Sequence, residues 1–210
     1  MNYFRRIYFL FPGFFILFAS CVDLKQPRNK INFYTFEYSL PQTFEHNPLP
    51  FVIRIVRFSV APLYNTRHMI YRDSSFTRDA YVSHKWRASP GSLVTYFLSR
   101  DMKESRLFKA VLPNDSGFPS SYVVEGTVDE FFELDTEEDW KAVLTLNITL
   151  MAENEPDISK RILSQKTYHT MKACKQKNPR ALAEAMSEAM AEVSGTIIKD
   201  IYHNLKDYQQ

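Results

Sequence analysis

Two cysteines and five histidines are the side chains of this chain suited to covalent, proton-transfer or metal chemistry near neutral pH. The histidines, His46, His68, His84, His169 and His203, are scattered without metal-ligand spacing, and each reads as a surface or strand residue. Cys174 lies between Lys172 and Lys175, whose charges could lower its pKa and make it reactive; a loop residue without a role is the plainer account. Glu125 and Glu130 fall on opposite faces of one strand, so they cannot act as an acid/base pair unless a bulge intervenes. Trp86 with Tyr81, His84 and Arg87 could make a binding patch, but an aromatic strand end anchoring the core is the simpler reading. Asn147-Ile148-Thr149 matches a glycosylation acceptor by pattern alone, inside a strand. There is no G-x-S-x-G, P-loop, H-E-x-x-H or paired C-x-x-C. The expectation is therefore no catalytic residue, no cofactor and no metal, hence not an enzyme. A hydrolase would need a pocket joining His84 or His169 to a nucleophile.

Cys21 remains, and its surroundings are more specific. Arg5 and Arg6 precede an uncharged apolar run at residues 7–18, and the small residues Ala19 and Ser20 stand directly before the cysteine. That is the layout of a secretory signal peptide. A spanning helix needs about 20 apolar residues, and this run is shorter and interrupted by Pro12-Gly13. Leu17-Phe18-Ala19-Ser20-Cys21 resembles the lipobox of bacterial lipoproteins, with Phe18 departing from the usual aliphatic residue. The resemblance implies cleavage after Ser20 and three acyl chains on Cys21. Val22 follows where an Asp favours inner-membrane retention in enterobacterial lipoproteins, so the expected address is the outer membrane; Asp23, one place later, points weakly the other way.

Of 210 residues, removing 1–20 leaves about 190, enough for one domain with a real core. The chain has 26 Lys+Arg and 24 Asp+Glu, and the leader takes Arg5 and Arg6, so the mature part is formally neutral. A nucleic-acid partner would show as a basic excess and is not expected. With Cys21 acylated, Cys174 has no intramolecular disulfide partner. The 17 Phe and 12 Tyr suit a β-rich domain or an apolar ligand surface.

The expected organisation is a leader at 1–20, a lipidated tether at 21–31 and one domain at 32–210. The tether is short enough to keep the domain close to a membrane surface. Residues 31–40, 51–60, 68–72, 79–86, 107–112 and 160–171 read as strands, with 51–60 central because both its faces are apolar. Residues 122–151 alternate as a hairpin, in which Tyr122, Val124, Val128, Phe132 and Leu134 face the core and Val123, Glu125, Thr127, Asp129 and Glu133 face water. Arg54 and Arg57 are expected to pair with acids on neighbouring strands. Ser89-Pro90 and Asn178-Pro179 each place a capping residue before a proline, which starts a helix. Leu93, Val94, Phe97, Leu98 and Met102 form the core stripe of the first helix; Leu182, Met186, Met190, Val193, Ile197, Ile201 and Leu205 form that of the second. The fold class is α+β: an antiparallel sheet with two main helices packed on one face.

The order of these elements and several strings resemble the ABC-type transport auxiliary lipoproteins, the family that includes the lipoprotein component of paraquat-inducible systems. The residues concerned are Tyr38-Ser39-Leu40, Val56-Arg57-Phe58-Ser59-Val60-Ala61-Pro62 with Tyr64, Met69-Ile70-Tyr71-Arg72, Trp86, Pro90 with its helix, and Tyr122-Val123-Val124-Glu125-Gly126-Thr127-Val128. The resemblance implies a non-enzymatic, outer-membrane-anchored part of a lipid-transport system on the periplasmic side. It also implies an MCE-domain protein and ABC transporter subunits as partners, a ring-like homo-oligomer, and lipid contact through apolar surface. A small lipid-tethered α+β domain would equally suit a lipoprotein that scaffolds or activates cell-wall or envelope assembly enzymes.

Overall fold

A computed structural model describes residues 30–39, 47–73 and 76–208. The signal peptide, Cys21, residues 22–29 of the tether and His46 lie outside the described residues. The elements are β1 (Asn32–Tyr34), β2 (Leu49–Ile55), β3 (Ser59–Val60), a 3-10 turn (Pro62–Tyr64), β4 (His68–Arg72), β5 (Asp79–Trp86), α1 (Pro90–Glu104), β6 (Phe108–Leu112), β7 (Tyr122–Asp135), β8 (Trp140–Ala152), the single turn α2 (Ile158–Arg161), β9 (Ile162–Ala173) and α3 (Pro179–Asp207).

Both long helices begin where the capping residues predict. The Ser89 side chain accepts from the Ser92 N–H and the Asn178 side chain from the Ala181 N–H, while Pro90 and Pro179 occupy positions whose N–H would be unpaired anyway. The seven stripe residues of α3 are all 3% exposed or less. Ala181, Ala185, Ala189 and Ser194 are buried beside them, and their small side chains let α3 lie close to the sheet and to α1. Tyr38 donates to the buried carboxylate of Asp101, which Arg100 also holds, so the segment after β1 is pinned to α1.

The sheet is mixed, which corrects the antiparallel expectation. β7 pairs antiparallel with β8, and β8 with β9. The other edge of β7 is shared in turn by β2, β3 and β4, all parallel to it. Beyond β2 lies β6, also parallel; beyond β4 come antiparallel β5 and parallel β1. Parallel neighbours need a crossover, and the one from β2 to β6 runs through β3, β4, β5 and α1. The strand expected over 51–60 is broken after Ile55 and resumes at Ser59, with Phe58 buried in the gap. β2 is nonetheless central, between β6 and β7.

A β-bulge corrects the facing of the hairpin. Val128 pairs with Leu146 but Glu130 with Thr145, so Asp129 is the extra residue and every later side chain on β7 changes face. Phe131 and Glu133 thus share the core face with Val124 and Val128, and Glu133, expected in water, is 1% exposed. Phe132 turns to the opposite face, where Tyr64 stacks on it at 5.6 Å and the Arg72 and Arg78 guanidinium groups lie over its ring.

Phe58 occupies the break between β2 and β3. Its N–H donates to the Thr95 hydroxyl of α1. A Cβ on Gly91 would stand 2.4 Å from the Phe58 carbonyl oxygen, and one on Gly126 would stand 2.6 Å from the Phe58 ring and 2.4 Å from the Asn147 carbonyl oxygen. Backbone atoms cannot yield as a side-chain tip can. Gly126→Ala is expected to cost about 1–3 kcal/mol of stability in urea unfolding, while Gly117→Ala, whose Cβ meets nothing within 4 Å, leaves the midpoint unchanged.

Candidate functional site

The face of the sheet away from α1 and α3 carries three polar rows, each crossing β7, β8 and β9. The register aligns Glu125, Thr149 and Gln165; Thr127, Asn147 and Thr167; and Glu130, Thr145 and His169. Glu125, Thr149 and Gln165 of the first row and Thr127 and Asn147 of the second border, with Arg57, Ser59 and Asp129, an open cleft of about 450 Å³. Adjacent members are hydrogen-bonded. Gln165 donates to the Thr149 hydroxyl at 3.2 Å, Asn147 donates to the Thr167 hydroxyl at 3.3 Å, and the Thr127 and Ser59 hydroxyls are 2.8 Å apart.

The third row brings together residues that sequence reasoning left apart. The Thr145 hydroxyl donates to a Glu130 carboxylate oxygen at 2.5 Å and lies 2.8 Å from His169 Nδ1, with Glu130 and His169 3.6 Å apart. This joins His169 to a hydroxyl, the geometry a hydrolase would require, but the roles do not match. In a nucleophilic relay the histidine stands between the hydroxyl and the acid. Here the hydroxyl stands between histidine and acid, its proton is directed to Glu130, and Thr145 is buried. The bulge also places Glu125 and Glu130 on one face. Their partners Thr149 and Thr145 are four residues apart, about 13 Å along a strand, too far for joint acid/base work. The cleft is lined mainly by polar side chains. They were visible as the polar half of the alternation; the bulge that brings Glu130 onto the same face was not.

The remaining candidates are dispersed. Trp86 is 1% exposed and packs edge-on against Phe36 and Phe131, the core anchor expected of it. Tyr81 donates to Glu133, His84 Nδ1 lies 2.9 Å from the Tyr34 hydroxyl, and His68 Nδ1 lies 3.1 Å from the Tyr81 carbonyl oxygen. His203 is exposed on α3 beside Tyr202. No three His, Cys, Asp or Glu side chains gather as a metal site among the described residues. Arg54 pairs with an acid, but Glu153 lies in the turn after β8 and not on a neighbouring strand, while Arg57 bonds the Ser92 hydroxyl and no described carboxylate. Cys174 is not activated by its lysine neighbours. Lys172 and Lys175 reach across to Glu192 and Glu188 on α3, and burial, with Glu133 nearby, pushes the thiol up to about 12. Asn147, the glycosylation-pattern residue, lines the cleft from within β8.

The model of the ABC-type transport auxiliary lipoprotein component family matches residues 34–198. Among solved structures, a Xanthomonas campestris protein of the DUF330 family superposes with a TM-score of 0.76 at 15% identity, over 85% of this chain and 100% of that one. An uncharacterised protein follows at 0.63 and 11% identity, over 82% of this chain and 99% of that one. A hypothetical protein of Chlamydia trachomatis reaches 0.51 at 7% identity, over 73% and 96%. These likenesses establish the fold. Among curated protein sequences none matches.

Glu133 provides a test of the bulged arrangement. Burial raises its pKa above the ordinary carboxylate value, against the lowering effect of the Tyr81 hydrogen bond. A raised folded-state pKa means stability that is present below the unfolded pKa and lost as pH rises through the folded one. Glu133→Gln keeps an acceptor for Tyr81 and removes the charge. It should be more stable than the parent at pH 7, with the difference closing as pH falls below about 4; chemical unfolding at both pH values measures this, and an unchanging gap would contradict the burial.

Proposed function

The chain belongs to the ABC-type transport auxiliary lipoprotein family, and from that premise we propose that it is a non-enzymatic lipoprotein of the outer membrane that docks a lipid-transport conduit on the periplasmic side. The match over residues 34–198 carries this reading. Residues 1–20 are the cleaved leader, residues 21–31 the tether with acylated Cys21, and residues 32–210 the working domain. No helix among the described residues is long and apolar enough to cross a membrane, so in this reading attachment falls to Cys21. The partners are an MCE-domain protein and the ABC transporter subunits, met by a ring of several copies of this chain.

The polarity of the domain supports such an arrangement. β1 runs antiparallel to β7, as follows from its parallel pairing to β5 and the pairing of β4 with both β5 and β7. The tether therefore enters toward the β7–β8 turn. At the other end, about 25 Å along the strands, the loops before β7 and after β8 present Phe118 and Ile158, with Tyr208 closing α3. Phe51, Pro119, Tyr122 and Tyr208 border a shallow cleft there. This membrane-distal apolar end suits a protein conduit or the lipid inside it.

Two measurements test the reading. Affinity recovery from crosslinked envelopes should return MCE-domain and transporter subunits, and Phe118→Asp with Ile158→Asp should reduce that yield; recovery of neither partner, or of a cell-wall synthase alone, would overturn it. Cys21→Ala should fractionate away from the outer membrane as a soluble or unprocessed form.

A further inference from the structure

We propose that the surface formed by Phe33, Arg67, Lys85 and Arg87 lies flat on the anionic phospholipid headgroups of the membrane that holds Cys21. This rests on the lipoprotein reading above and adds an orientation to it. Phe33 projects from β1 with 45% of its surface exposed. The Arg67 guanidinium lies 5.1 Å from its ring centroid and that of Arg87 5.5 Å, while Lys85 is its register partner on β5. None of the three cations pairs with a carboxylate among the described residues. Ile31, 44% exposed, stands two residues before Phe33.

An exposed aromatic ring clasped by cations, with an aliphatic side chain beside it, is the composition that a headgroup boundary rewards. The ring and the aliphatic group enter the interface and the charges meet phosphates. The acidic opposition is slight. Glu37 and Glu184 share a cleft with Phe33, but Glu184 is paired with Arg180. Three cations thus stand against one carboxylate of that cleft with no described ion pair, Glu37, in a mature domain whose formal net charge is zero, so the attraction is local to this surface.

Chain length supplies the second, independent observation. Residues 22–29 alone separate Cys21 from Lys30, a reach of about 30 Å when fully extended and nearer 17 Å as a coil. Acyl chains in the bilayer therefore hold the start of β1, and the patch with it, within a short distance of the headgroups. Each basic side chain at an anionic surface shifts the balance toward contact about fivefold, so reversing or screening three should shift it back by about a hundredfold or more.

The test uses the mature lipidated protein, reconstituted in vesicles of phosphatidylethanolamine with phosphatidylglycerol. In a Cys174→Ala background, a fluorophore is placed by Ile31→Cys or, at the far end, by Phe118→Cys. Brominated lipid should quench the probe at 31 and leave the one at 118 bright. Arg67→Glu, Lys85→Glu and Arg87→Glu together should abolish quenching at 31 while the protein stays on the vesicles. Raising ionic strength should do the same without any substitution, which covers the case of a misfolded variant. A probe at 31 that remains bright in the parent, or stays quenched after charge reversal and at high salt, overturns the orientation and leaves lipidation standing. A parent protein that leaves the vesicles overturns the lipoprotein reading and this inference with it.

Discussion

At Phe58 the backbone runs so close to its neighbours that neither Gly91 nor Gly126 has room for a methyl group. The contact ties three elements together at one residue. It draws the N-terminal turn of α1 onto the chain between β2 and β3, sets the ring against β7, and through Gly126 abuts the Asn147 carbonyl of β8. The strand break follows from it. Val56 still donates to the Val124 carbonyl and Ala61 to that of Val128, but Arg57 and Phe58 leave the ladder and Phe58 fills the core at 3% exposure. Interiors are packed too densely for such a junction to shift by half a bond length, so α1, the broken strand and the hairpin hold one mutual geometry. Three strings that suggested the family, those around Phe58, Pro90 and Gly126, meet at this point.

The hairpin's geometry depends on that junction and on the bulge one step beyond it. With Asp129 unpaired, the ring of Phe132 is turned to the face opposite Phe131, where Tyr64 covers it. The same turn takes Glu133 inward, where Tyr81 donates to it. A buried carboxylate is tolerated when hydrogen bonds satisfy it and costs several kcal/mol when they do not. β5, which carries Tyr81, is therefore tied to the hairpin by a polar contact that no hydrophobic pattern announces. On the opposite face the bulge aligns Glu130 with Thr145 and His169, completing the third polar row.

Legibility in the sequence followed the range of the interactions. Caps and stripes are local: Ser89 and Asn178 each reach an N–H three residues on, and one period sufficed to identify the buried face of α3. Strand positions were legible for the same reason, with 68–72 and 79–86 matching β4 and β5 in full. Direction of pairing was not, because a strand buried on both faces has the same residue pattern beside a parallel or an antiparallel neighbour. The bulge was hidden too, since one residue in excess is defined only against the partner strand. The candidate site inherits this: its polar residues could be named, but which of them stand in one row could not.

Magnitudes separate the roles of the two features that face the membrane in the proposed arrangement. Three basic side chains at an anionic surface contribute about 1 kcal/mol each, and the cost of confining a folded domain there consumes much of that. Such a surface cannot hold the protein by itself. Acyl chains, at about 0.8 kcal/mol per buried methylene, supply many times more, but a chain in lipid carries no information about which side of the domain faces down. With only residues 22–29 between anchor and fold, a few kcal/mol suffice to select one orientation out of those the tether permits. In that arrangement the anchor sets where the domain is and the patch sets how it stands. The apolar end near Phe118 is left pointing away from the bilayer, where a partner arriving from across the envelope would meet it.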